Sequence, residues 1–240
     1  MEIKRFFANK EDFFDDKVNL HGDEFYHLTK VLRYKVGFNA IVCCGDDLDY
    51  YCKVEKIEKD SAVLKITKKE ANNCKTKHYI TLFQALPKGD KMDLIVQKAV
   101  ELGVSEIVFF NSKNVAETKF NLSRLQKICV EACKQCGRSF VPVTQGLLTF
   151  KQCAENLKTY DTQIVCYEDE KRLTLSQILK KAGARVAVVI GSEGGFCPEE
   201  VEILKINGAF SVTLGKRILR CETASITALA IAMNDLGEMQ

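Results

Sequence analysis

Residues 186–204 read VAVVIGSEGGFCPEEVEIL, and their order of apolar run, glycines and acidic start decides the fold class. The unbroken run from Val186 to Ile190 is short enough for a strand and apolar enough to be covered on both faces. Gly191, Gly194 and Gly195 then make a turn in which a ligand can press against bare backbone. Pro198 suits the first position of a helix, and Glu199 and Glu200 suit its first turn. A strand feeding a helix through such a turn is one unit of an α/β sheet. The glycine spacing is not that of the dinucleotide fingerprint, and acidic residues at the helix start disfavour a phosphate there.

The same alternation extends on both sides. YITLFQAL (79–86) precedes a helical KMDLIVQKAVEL (91–102), and SEIVFF (105–110) precedes SRLQKICVEACKQC (123–136). TQIVCYE (162–168) precedes LSQILKKA (175–182), and FSVTLG (210–215) precedes ETASITALAIAMNDL (222–236). Short apolar strands alternating with helices predict a mostly parallel sheet covered on both faces, with ligand chemistry at the carboxyl ends of its strands. One such end, LGKRILR (214–220), offers Leu214, Ile218 and Leu219 as an apolar slot for a flat ring such as adenine.

Upstream of this pattern, AIVCCG (40–45), DYYCKVEKI (49–57) and SAVLKIT (61–67) alternate with period two, and one helix is expected at GDEFYHLTKVL (22–32). The polar stretch KKEANNCKTKH (68–78) has no apolar periodicity and marks a join near residues 70–76. Two domains are therefore expected, a small β-rich module over 1–72 and the α/β domain over 73–240. The chain of 240 residues is 46% hydrophobic and 28% charged, with a formal charge of +3. So mild a charge neither demands a nucleic-acid partner nor excludes one. No apolar run approaches the roughly 18–20 residues that span a bilayer, and the start has no signal-like apolar stretch; a cytoplasmic protein is expected.

Eleven cysteines invite a metal reading, because Cys129-x3-Cys133-x2-Cys136 is the spacing with which radical enzymes hold an iron–sulfur cluster. The segment, however, has helical periodicity, which puts the three thiols on one stripe with the outer two roughly 10 Å apart along the axis. A cluster needs thiolates that converge. Zinc lacks a second suitably spaced pair, so no metal is expected and the cysteines read as buried thiols. Gly137 is expected to end this helix and to expose Arg138 on the turn before a strand FVPVT (140–144).

QALPKGDKMDLIVQKAVELGVSEI, QCGRSFVPV, IGSEGGFCPEEVE and LGKRILRCETASITALAIA together resemble the RsmE family, the small-subunit (16S) ribosomal RNA uridine-N3 methyltransferases of the SPOUT superfamily. RFF at Arg5 to Phe7 and HLTKVLRYKVG at His27 to Gly37 resemble the RNA-binding module of the same family. The resemblance implies a PUA-like β-barrel followed by an α/β methyltransferase domain with a deep C-terminal trefoil knot, assembled as a homodimer. It implies S-adenosylmethionine as cofactor, with Ile190, Gly191 and Gly195 in its pocket and Leu214, Gly215, Ile218 and Leu219 around adenine. Ser192 stands where proline is common in the family, and Cys197 where a hydroxyl cap is common.

Methyl transfer to uracil N3 requires an in-line approach and loss of the imide proton, with no metal. Arg138 is the expected catalytic cation at a uracil carbonyl, and Glu193 a possible general base or, alternatively, an anchor for the loop. Arg5, Arg33, Lys88 and Lys91 are the expected phosphate contacts. The alternative class is a noncatalytic ribosomal RNA-binding protein that keeps the fold without binding the cofactor.

Overall fold

The computed structural model describes residues 3–115 and 119–239. Its contacts divide the chain into two units, one of Met1–Lys75 with Cys133–Val141 and one of Thr76–Ala132 with Pro142–Gln240. The first unit thus takes in nine residues, 133–141, that a linear reading assigns to the second.

In the first unit, β1 (Lys4–Phe7), β2 (Phe13–Phe14) and β3 (Lys17–His21) precede a short helix α1 (Gly22–Tyr26) that continues as one π-type turn over His27–Val31. β4 (Asn39–Cys43), β5 (Leu48–Ile57) and β6 (Ser61–Ala71) complete it. The pairing order is β1-β4-β5-β6-β3-β2, with β1 parallel to β4 and the other pairs antiparallel. In β5 the period-two pattern places Tyr50, Cys52 and Val54 inside, where they join Phe6, Leu20, Leu28 and Leu64 in one apolar core.

The second unit is a parallel sheet. β7 (Tyr79–Ala85), α2 (Lys91–Glu101), β8 (Glu106–Asn111), α3 (Leu122–Cys136), β9 (Val143–Thr149) and α4 (Phe150–Leu157) come first. β10 (Thr162–Cys166), α5 (Leu175–Leu179), β11 (Arg185–Ile190), α6 (Pro198–Ile206), β12 (Phe210–Val212) and α7 (Cys221–Asp235) follow. The strand order is β12-β10-β11-β7-β8-β9, every pair parallel. The chain starts mid-sheet at β7, builds to one edge at β9, then crosses to the other side. Strand order reverses between β7 and β11, the kind of switch point where open α/β sheets bind ligands.

The strand expected at FVPVT (140–144) lies further along, as β9 at Val143–Thr149, and α4 is absent from the sequence reading. β9 is an edge strand that is nowhere fully buried and carries Gly146 inside it, so it lacks the apolar run that marks its neighbours. On α3, Cys129 and Cys133 are buried and Cys136 is half-buried, as a helical stripe requires. The helix ends at Gly137, whose φ of +85° is left-handed and whose N–H bonds the Cys133 carbonyl.

All eleven cysteines are free thiols, and Cys74 alone is exposed. Burial pushes the thiols of Cys52, Cys166 and Cys221 up to about 12. Among the described residues no helix is long and apolar enough to cross a membrane, and no group of three His, Cys, Asp or Glu side chains could hold a metal.

Candidate functional site

A cavity of about 310 Å³ opens beyond the carboxyl ends of β10, β11 and β12. Its size lies at the small end of the range for ligand pockets. Ile190, Gly191 and Gly195 from the turn after β11 and Leu214, Gly215, Ile218 and Leu219 from the loop after β12 all line it, so the two strand ends singled out in the sequence form one pocket. Glu193 is in the same wall. The side chains that sequence reasoning missed are Tyr167 and Glu168, which follow β10 directly, and the cations Lys171, Lys216, Arg217 and Arg220. Their signal was position, since TQIVCYE is a third strand end beside the other two.

The glycine turn is held from several directions. Gln84, at 0% exposure near the end of β7, donates from Nε2 to the Gly191 carbonyl at 3.3 Å and accepts from Ser225 Oγ of α7 at 2.6 Å. One amide therefore joins the turn after β11 to the helix after the second loop. Asn114 Nδ2 donates to the Gly194 carbonyl at 3.0 Å, and Ser192 Oγ donates to the Asn114 carbonyl at 3.1 Å. Glu200, buried on α6, accepts from the N–H groups of Cys197 and Lys113. With Cys197, whose side chain faces the Glu200 N–H, it forms a capping box at the start of α6.

These contacts change the reason for the glycines. A Cβ on Gly194 would lie 2.7 Å from Asn114 Cβ and 2.9 Å from its backbone carbonyl oxygen, and one on Gly195 would meet the tip of the Glu168 side chain. The bare backbone is pressed by the protein's own neighbouring segments. Gly195 also has a φ of +60°, which an L side chain rarely adopts.

Glu193 is committed. Its carboxylate accepts from the Lys88 N–H at 3.0 and 3.1 Å and pairs with Lys91 Nζ at 2.7 Å. Burial pushes its pKa up, but the Lys91 and backbone hydrogen bonds outweigh this and hold the group below the ordinary carboxylate value. A lowered pKa suits an anchor between the turn and the start of α2, the second of its two expected roles, better than a proton acceptor.

Two of the four expected phosphate contacts are engaged within the chain. The Arg5 side chain is only 9% exposed and forms a two-pronged pair with Asp49, one prong at 2.9 Å, with Cys43 Sγ accepting another bond. Its charge is part of the first unit's interior. Lys91 pairs with Glu193 and lies 3.7 Å from Glu222. Lys88 is exposed, with its backbone N–H used by Glu193, and Arg33 is exposed at a left-handed φ of +54°. Arg138 is not exposed on its turn, as the sequence led us to expect, but buried at 2% exposure with its guanidinium stacked 4.3 Å from the centre of the Phe140 ring; it lies in the segment grouped with the first unit and does not line the cavity.

Residues 74–233 match the family model of an RNA methyltransferase domain, and residues 20–67 that of an RNA methyltransferase PUA domain. The chain is 30% identical to ribosomal RNA small subunit methyltransferase E of Mesomycoplasma hyopneumoniae, over 96% of this chain and 99% of that one. It is 29% identical to the Bacillus subtilis protein of the same name, over 88% of each. Among solved structures, ribosomal RNA small subunit methyltransferase E of Neisseria gonorrhoeae bound to S-adenosylmethionine superposes with a TM-score of 0.89 at 28% identity, over 97% of this chain and 98% of that one. A Legionella pneumophila methyltransferase in complex with the same cofactor superposes with a TM-score of 0.88 at 26% identity, over 98% of each.

Proposed function

The chain belongs to the RNA methyltransferase family that includes ribosomal RNA small subunit methyltransferase E, and we propose that it methylates N3 of a uridine in small-subunit ribosomal RNA using S-adenosylmethionine. The observation that carries this reading is the single cavity formed by both loops, with all seven expected cofactor residues in its wall.

The residues present fit the cofactor. Ile190, Leu214, Leu219, Phe196 and Ala224 give the cavity an apolar side suited to a purine ring, and Glu168 gives it an anionic acceptor for a ligand with positive charge and hydroxyl groups. When bound, S-adenosylmethionine supplies a methyl group already activated on a sulfonium, so the chain's work is positioning. The Gln84 and Glu193 contacts hold the glycine wall in one arrangement before substrate arrives. Lys216 and Arg217 are exposed beside the cavity and form no hydrogen bond or ion pair among the described residues; this supports a phosphate-binding lip, with Arg33 and Lys88 as further contacts. Arg138 is kept as the cation for the uracil carbonyl oxygen, where it stabilises the imidate left when the N3 proton departs. The reading includes a homodimer and a knotted C-terminal segment, both carried by the family resemblance.

The test incubates purified protein, labelled S-adenosylmethionine and small subunits from cells that lack uridine-N3 methylation, then maps reverse-transcription stops. Label in the RNA and a new stop at one uridine are expected, because N3 methylation blocks the pairing edge. Label without a stop would move the methyl to another atom, and no label would favour the noncatalytic binder. Arg138→Ala is expected to lower transfer more than cofactor affinity; equal loss of both would remove Arg138 from the reaction.

A further inference from the structure

Two carboxylates line the cavity and they are in different states. Glu193 is engaged by Lys91 and by the Lys88 N–H. Glu168, two residues past β10, uses its backbone carbonyl to accept from Lys171 Nζ, whereas its carboxylate oxygens have no hydrogen bond or ion pair among the described residues. That carboxylate rests against the glycine wall, since a Cβ on Gly195 would lie 2.2 Å from Oε1 and 3.0 Å from Cδ. Four cations, Lys171, Lys216, Arg217 and Arg220, line the same cavity. Such a surplus disfavours a ligand of net positive charge unless an anion offsets it locally, and Glu193 is already neutralised.

We propose that Glu168 is a cofactor-binding residue whose carboxylate accepts hydrogen bonds from donor groups of S-adenosylmethionine. The inference rests on the cofactor assignment above. The donors are either the ribose hydroxyl pair or the amino-acid ammonium, each able to form the charge-assisted bonds that a carboxylate makes best. Lys171, bonded to the Glu168 carbonyl, keeps the residue's backbone in place.

The test is calorimetric titration of the full chain with S-adenosylmethionine, S-adenosylhomocysteine and 5′-methylthioadenosine, which lacks the amino-acid group. Glu168→Gln, nearly the same shape without the charge, is expected to weaken S-adenosylmethionine roughly tenfold to a hundredfold at an unchanged melting temperature. A parallel loss for 5′-methylthioadenosine assigns the contact to the ribose; a loss confined to the two amino-acid-bearing ligands assigns it to the ammonium. Binding by Glu168→Gln within twofold of the native protein would overturn the proposal while leaving the methyltransferase reading intact. Absence of binding by the native protein would instead overturn that reading.

Discussion

The turn of residues 191–197 and the loop of residues 213–220 wall the same cavity, yet side chains from several strands and helices fasten the first and almost nothing fastens the second. On the turn, Gln84, Asn114, Lys91 and Glu200 each bond backbone or a carboxylate. On the loop, Thr213 Oγ1 bonds the backbone of Gly215, and from there Lys216 and Arg217 stand exposed with Ile218, which is 86% exposed. A Cβ on Gly215 would meet nothing within 4 Å, whereas one on Gly194 would collide with Asn114, its backbone carbonyl included. One wall is thus set by the fold, and the other has room to adjust around what it holds.

Substitutions can break this contrast, and the largest effect is expected at Gln84. Gln84→Ala leaves the Gly191 carbonyl without its side-chain donor and opens a buried gap, at a cost of about 2–3 kcal/mol. Thermal unfolding should then shift down by roughly 5–10 °C. An unchanged melting temperature would show that the glycine wall does not depend on this amide.

A smaller, pH-dependent effect is expected from Glu193→Gln. Burial raises the pKa of Glu193, but its hydrogen bonds lower it further, so the folded value falls below the ordinary 4.5. Stability from this carboxylate is therefore present above the ordinary value and lost as pH falls through the lowered one. Melting curves of the native protein and the variant should differ at pH 7 and converge as the pH falls through the lowered value. A constant difference across that range would assign the effect to shape instead of charge.

The smallest effect on stability, and the largest on RNA, is expected from Lys216→Ala and Arg217→Ala. Neither should move the melting temperature, because neither side chain has a partner to lose among the described residues. Each should weaken RNA binding, and each phosphate contact removed should lower the slope of log affinity against log salt by roughly 0.7–0.9. An unaltered slope would take that residue out of the RNA interface.

The sequence exposed the floor of the site more readily than its charges. Ile190, Gly191, Gly195, Leu214, Gly215, Ile218 and Leu219 were legible because apolar runs that end in glycine mark strand ends, and strand ends converge in a parallel sheet. Arg5 and Lys91 were misjudged for a different reason. A basic residue reads alike whether solvated or paired, and the partners are remote: Asp49 lies 44 positions from Arg5, and Glu193 lies 102 from Lys91. The same remoteness hid Glu168, which meets Gly195 only in the folded chain. Only the first residues of β9 were legible, because an edge strand does not need the apolar run by which strands are recognised.

The distribution of thiols described above has a practical consequence. Cys166 and Cys221 line the cavity, but burial leaves them overwhelmingly protonated at neutral pH, so electrophilic dyes should pass them by. Cys74 alone is exposed, with Cys44, Cys136, Cys166 and Cys197 half-buried, so a fluorophore should reach Cys74 first and the native chain carries its own preferred address for an optical reporter.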